Sequence, residues 1–131
     1  MIREWFTEPP THDFFAEGYR CEIKRHPSLG HLNGYVYLPD THPDFGKGYD
    51  DIDVSVHGGL TYADGGCFGF DCGHAGDLTP AFENMLKPEL STGDVYRNMA
   101  YVERQLRSLA KQFLQRGQAD TLSESPLNGE K

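Results

Sequence analysis

Between Asp94 and Arg116 the apolar side chains Val95, Met99, Val102, Leu106, Leu109 and Phe113 recur at spacings of 4, 3, 4, 3 and 4. That rhythm predicts an amphipathic helix with one continuous apolar stripe, stopped by Gly117. Its other faces carry Arg97, Arg104, Arg107, Lys111 and Arg116, a basic helix in an acidic chain. A stripe of this length needs an apolar surface to lie on, and helix propensity alone does not hold such a segment in water.

The surface is supplied by strand-like segments upstream. Tyr19 to Arg25 and Gly34 to Leu38 are rich in β-forming residues and are separated by Pro27, Ser28, Leu29 and Gly30, a hairpin signal. From Asp51 to Tyr62 the even positions are Ile52, Val54, Val56, Gly58, Leu60 and Tyr62, against polar or small residues at the odd ones. This period of two predicts a long strand with one wet face, broken or bulged at Gly58 and Gly59. The turn signal Ala63, Asp64, Gly65, Gly66 leads into a strand at Cys67 to Asp71. Pairing Tyr62 with Phe68 would gather Leu60, Tyr62, Phe68 and Phe70 on the buried face and bring His57 opposite Gly73.

The expected fold class is therefore α+β: an antiparallel β-sheet packed by a long C-terminal helix. One domain is expected over residues 1–117, with residues 118–131 a disordered tail, polar and without period. Residues 1–17 show no clear period, and their Trp5 and Phe14 could close the core or mediate a homo-oligomer. Thr79 and Pro80 look like the cap and first position of a short helix to about Leu86.

Charge narrows the function. Residues 40–77 hold eight aspartates against Lys47 alone, almost the whole of the net −8. Such a face repels a polyphosphate backbone, so no nucleic-acid partner is expected; cations or ligand hydroxyls suit it better. Asp40, Asp44 and Asp64 read as solvated loop residues. No apolar run is long enough to span a membrane and Met1 to Phe6 lacks a signal-peptide core, so a soluble cytosolic protein with no membrane partner is expected. Cys21, Cys67 and Cys72 lack metal-ligand spacing and read as reduced thiols.

The proposed register brings His57, Asp71, His74 and Asp77 to one end of the hairpin. Two imidazoles and two carboxylates suit a divalent metal, zinc or manganese, with a coordination position left for water. They also suit direct contact with a small polar ligand, for which Gly58 and Gly59 offer close backbone approach, Thr61 a hydroxyl, and Asp53 a further carboxylate. Asp53 lies roughly 13 Å from His57 along a regular strand, too far to share its metal. Tyr35, Tyr49 or Tyr62 could stack on a base. A phosphate would need Arg25 or an arginine of the C-terminal helix.

The runs G-H-L-N-G-Y-V at 30–36, H-P-D-F-G-K-G-Y-D-D-I-D-V-S-V-H-G-G-L-T-Y at 42–62 and G-F-D-C-G-H-A-G-D at 69–77 resemble a family of small uncharacterised proteins encoded by bacteriophages and prophages. The resemblance covers about residues 19–113 and brings no activity with it. It implies a setting: an accessory phage protein in the host cytoplasm, where such proteins bind or destroy host molecules, including nucleotide signals of antiviral defence. The leading expectation is a protein that sequesters a small nucleotide-derived ligand. A metal-dependent hydrolase or phosphodiesterase acting on such a molecule comes second, and an acidic inhibitor of a host enzyme third.

Overall fold

A computed structural model describes residues 3–74, 76–81 and 94–124. Five strands, β1 (Thr11–Ala16), β2 (Tyr19–Arg25), β3 (Leu32–Tyr37), β4 (Tyr62–Asp64) and β5 (Cys67–Asp71), form one sheet in the order β1-β2-β3-β5-β4. Every neighbouring pair is antiparallel. One face is covered by the helix α1 (Met99–Glu124), which gives the expected α+β architecture.

The helix stripe packs as its spacing requires. Val102, Leu106, Leu109 and Phe113 are fully buried against Cys21, Ile23, Leu32, Val36, Phe68 and Phe70. Each such side chain contributes roughly 1.5–3 kcal/mol relative to exposure. Gly34 leaves room for this packing, since a Cβ there would meet the Phe70 ring at 2.7 Å and Leu106 at 3.1 Å.

The helix ends differ from expectation at both sides. It begins at Met99, because the Asn98 side chain accepts the Tyr101 amide at 2.8 Å and Glu8 accepts the Met99 amide at 2.7 Å. An Asn cap and a carboxylate at the positive end of the helix dipole together fix that start. Val95 is consequently outside the stripe and 51% exposed, bridged to Asp77 as a short parallel contact. At the far end the helix runs through Gly117 to Glu124, so residues 118–124 are not a structureless tail. Gly117 is tolerated inside it because its bare Cα admits the His42 imidazole, which a Cβ would meet at 3.3 Å.

The N-terminal segment is also more ordered than its pattern suggested. β1 is an edge strand whose His12, Phe14 and Ala16 turn inward while Phe15 is 69% exposed. The adjacent phenylalanines hide the alternation. Glu17 and Gly18, both with positive φ (54° and 84°), form the two-residue turn into β2, a twist-matched hairpin connection. Trp5 packs edge-on against Tyr96 at 5.0 Å, so this arm closes over the helix start.

The long strand expected from Asp51 to Tyr62 does not form. Only Tyr62–Asp64 joins the sheet; Tyr49–Asp51 is a turn of 3₁₀ helix, and the segment between lies along α1. Its amides bond to helix side chains instead of a neighbouring strand. Gln112 accepts from Ser55 N and donates to Ser55 O, both at 2.7 Å, and Gln105 accepts from His57 N at 2.9 Å. Ile52, Val54 and Val56 still point to the core, which is why the alternation is present without a ladder.

The β4–β5 register is shifted by one residue from the expected pairing. Tyr62 faces Gly69, Ala63 faces Phe68 and Asp64 faces Cys67, closed by Gly65 and Gly66 alone. A one-residue slip exchanges faces, so Tyr62 stands on the outer side while Ala63 joins Phe68 inside. Pro80 and Ala81 begin the expected short helix, whose continuation to Leu86 lies outside the described residues.

Candidate metal and ligand site

The chain end of β5 and the start of α1 meet at Asp77. This carboxylate is 5% exposed and receives hydrogen bonds from His57 Nε2 at 2.8 Å and the His74 amide at 3.1 Å on Oδ2, and from Arg97 Nε at 3.0 Å on Oδ1. Burial raises its pKa, but the bonds from His57 and Arg97 outweigh burial and hold it below the ordinary carboxylate range. Arg97 is placed by the bridge of Asp77 to Val95, in which Val95 donates to Gly76 O and Leu78 donates to Val95 O.

His57 is held from both sides. A carboxylate can only accept, so Nε2 carries the proton and Nδ1 accepts from the Tyr101 hydroxyl at 2.7 Å. The Arg97 guanidinium also lies 5.0 Å from the Tyr101 ring centre. His74 sits differently. Its ring packs over Gly58, where φ is +70° and any Cβ would collide with the imidazole. Its Nε2 is 3.5 Å from Asp71 Oδ1, and its Nδ1 is 3.6 Å from Asp77 Oδ2. That Nδ1 is shut off from solvent and has no hydrogen-bond partner among the described residues.

His57, His74 and Asp77 thus present one ligand atom each, all within 4.8 Å of one another. Two imidazoles and one carboxylate are a common donor set for a catalytic zinc or another borderline divalent ion, with coordination positions left open. Tetrahedral ligation at about 2.0–2.1 Å places donor atoms about 3.3 Å apart, so small side-chain rotations would suffice. Both imidazoles already have a partner on the nitrogen facing away from the cluster: Tyr101 for His57 and Asp71 for His74. Such outer contacts orient ligating histidines. The cluster could hold a metal ion.

Of the other sequence candidates, Asp71 is attached to the cluster through His74. It accepts from Thr61 Oγ1 at 3.2 Å and from Gly73 N at 3.0 Å, which leaves lone pairs on a side chain 33% exposed. Gly58 is the seat of His74, and Gly59 has φ +80° with open space above it. Tyr35 lies on the outer sheet face over Gly69, away from the three ligand atoms. Asp53 is not brought in: its carbonyl contacts Arg116 at 3.4 Å, two-thirds of the way along α1 from Tyr101. Tyr49 is 41% exposed in the crossover. Arg25 is committed elsewhere, to Glu8 at 3.2 Å, Gly30 O and Tyr96.

Sequence reasoning missed Tyr101 and the role of Arg97. One signal for Tyr101 was available: Tyr101, Gln105, Gln112 and Arg116 form a polar stripe beside the apolar one, and each bonds the crossover segment. Asp44 is not the solvated loop residue its sequence setting predicts: it is 1% exposed, clasped by Arg116 and Lys47. Cys72 is buried, which pushes its thiol up to about 12 and leaves it unreactive as a nucleophile. No family model matches the chain, and no curated protein or solved structure is significantly similar to it. Among the described residues no helix is long and apolar enough to cross a membrane.

Proposed function

We propose that the protein is a divalent-metal-dependent hydrolase for a small phosphate-bearing molecule, centred on His57 Nε2, His74 Nδ1 and Asp77 Oδ2. The observation that carries this reading is the buried His74 Nδ1, which lies 3.6 Å from Asp77 Oδ2 and has no hydrogen-bond partner among the described residues. A buried imidazole nitrogen without a partner is costly, and a cation in the cluster would satisfy it. Zinc or manganese there would polarise a phosphoryl oxygen and lower the pKa of bound water.

Electrostatics supports the substrate class. Asp71 and Asp77 outweigh Arg97 by one negative charge, so the residues alone repel an anion. A divalent ion reverses that sign, and Arg97 lies beside it to pair with a phosphate oxygen. The resemblance to phage proteins supplies a setting, an accessory protein of the infected host's cytoplasm acting on a nucleotide signal.

A second reading, sequestration without chemistry, is favoured by the His57–Asp77 bond at 2.8 Å, which satisfies both groups with no ion between them. The acidic-inhibitor reading is weakened because Asp44 and Asp77 are buried and add nothing to a charged surface.

The deciding experiment strips the protein with a chelator, titrates zinc and manganese by calorimetry, and assays p-nitrophenyl phosphate and its diester. One ion per chain, metal-dependent turnover, and loss of both in His74→Ala and Asp77→Asn are expected. Stoichiometric metal with no turnover of any ester would favour sequestration; no bound metal would end the hydrolase reading.

A further inference from the structure

Tyr35 and Tyr62 meet over Gly69 on the outer sheet face, their ring centres 5.6 Å apart and their planes at 88°. The corner depends on a missing side chain. A Cβ at Gly69 would stand 2.6 Å from the Tyr35 ring, so only glycine lets that ring lie down on the sheet. Tyr62 then forms an upright wall, 43% exposed. A floor and a perpendicular wall of aromatic surface suit one planar ring, stacked on the first and edge-on to the second. Lys24 Nζ lies over the Tyr35 ring, 5.7 Å from its centre, so an incoming base would share that face with the flexible lysine or displace it.

The corner is continuous with the metal cluster. Gly69 and Asp71 are on the same face of β5, about 6.6 Å apart along the strand. Asp71 Oδ1 is 3.5 Å from His74 Nε2, and its Oδ2 is held by Thr61, the residue before Tyr62. Three chemistries therefore follow one another along a single path: a cation site for phosphate, a half-exposed carboxylate with free lone pairs for sugar hydroxyls, and an aromatic corner for a base. Carboxylates accept readily from ribose hydroxyls, and base stacking on tyrosine is indifferent to which base is offered.

We infer that the site takes a 5′-nucleoside phosphate, with the phosphate at the His57–His74–Asp77 cluster, the ribose at Asp71 and the base in the Tyr35–Tyr62 corner. The assignment rests on the metal-centred reading for its phosphate end only. The aromatic corner exists without an ion and is tested separately.

Two probes, 5′-AMP and ribose 5-phosphate, differ only in the base and separate the two ends. Calorimetric titration of zinc-loaded protein should give AMP an affinity at least about tenfold above ribose 5-phosphate, the scale of one aromatic stack. Tyr62→Leu, an exposed position, should bring AMP down to the ribose 5-phosphate value with zinc stoichiometry unchanged. Adenosine should bind the metal-free protein weakly and lose that binding in the same variant. Equal affinity for the two probes, or an undiminished AMP affinity in Tyr62→Leu, overturns the inference. A protein that takes up no zinc but binds adenosine through Tyr62 would fail the metal reading and keep the corner.

Discussion

Two buried aspartates stand along α1, Asp77 at its start and Asp44 near Phe113 and Arg116, each with an arginine and a histidine, and only one of them has a group left over. Asp44 accepts Arg116 in a forked pair, Nε at 2.6 Å and Nη2 at 3.0 Å, with Lys47 at 3.0 Å. His42 beside it donates Nε2–H to Phe113 O at 2.7 Å and accepts the Asp44 amide on Nδ1 at 3.0 Å. Both ring nitrogens are used on backbone. At Asp77 the arginine makes a single bond through Nε, two imidazoles converge on one oxygen, and one ring nitrogen has no hydrogen-bond partner among the described residues. The same three residue types build a clasp in one place and a ligand site in the other. The convergence of two imidazoles on one carboxylate, with a ring nitrogen not hydrogen-bonded among the described residues, rather than the composition, separates the second cluster from the first.

The largest effect expected from that contrast is on stability at the clasp. Asp44→Ala leaves Arg116 and Lys47 facing a buried gap and should cost about 3 kcal/mol, as removal of one partner of a buried pair does. A lower urea midpoint with an unchanged slope is the expected signature. A midpoint unaltered by the substitution would mean that Asp44 is a bystander and the two regions are not a matched pair.

Crossed histidine variants sharpen the comparison. His74→Ala should weaken zinc binding by about 100-fold, some 2.7 kcal/mol, with little change in stability, because the lost ring is a third exposed and makes no strong bond. His42→Ala should do the reverse, losing about 2 kcal/mol of stability by stranding a buried amide and carbonyl while zinc affinity stays the same. Paired calorimetry and denaturation on both proteins would show the crossover. Parallel losses in the two assays would erase the distinction between clasp and site.

Acid titration is a smaller and shared effect. For both aspartates burial raises the pKa and the donors more than offset it, so each folded value is lower than the unfolded one. A depressed folded pKa means the stabilisation is complete above about pH 4 and drains away as the pH falls through the folded values. Asp44→Asn should therefore flatten the loss of stability below about pH 4, measured by urea midpoints at successive pH values. An equally steep loss in the variant would assign acid unfolding to other carboxylates.

The sequence showed the helix stripe and the members of the cluster far better than it showed how they meet. His57, Asp71, His74 and Asp77 stand out because polar residues between glycines in a strand-and-turn pattern have few structural uses. The route was not legible. Period two in Ile52, Val54 and Val56 reports burial on one side, and says nothing about whether the backbone finds a strand or, as here, Gln105 and Gln112. The Tyr62 register turned on whether the loop takes two residues, Gly65 and Gly66, or three with Asp64, a choice that the run Ala63, Asp64, Gly65, Gly66 leaves open. Asp44 looked like a loop aspartate because its partner Arg116 is 72 residues away, and pairing at that distance leaves no local pattern.

Tyr101 makes the finest test, because its hydroxyl bonds neither Asp77 nor His74 and reaches the metal site only through His57. With His57 Nε2 committed to a metal, the ring proton must sit on Nδ1, and the Tyr101 oxygen, 2.7 Å away, must accept it. Tyr101→Phe removes that acceptor but keeps the ring under Arg97. Loss of an outer partner of this kind weakens metal binding by about tenfold or somewhat more. The folded protein should change by no more than about 1 kcal/mol, since one hydrogen bond to a partly exposed imidazole is lost. Zinc affinity falling while the urea midpoint holds would place Tyr101 as a positioning residue of the metal site. If both stay constant, the Tyr101–His57 contact is incidental, and the asymmetry between the two aspartate clusters rests on His74 alone.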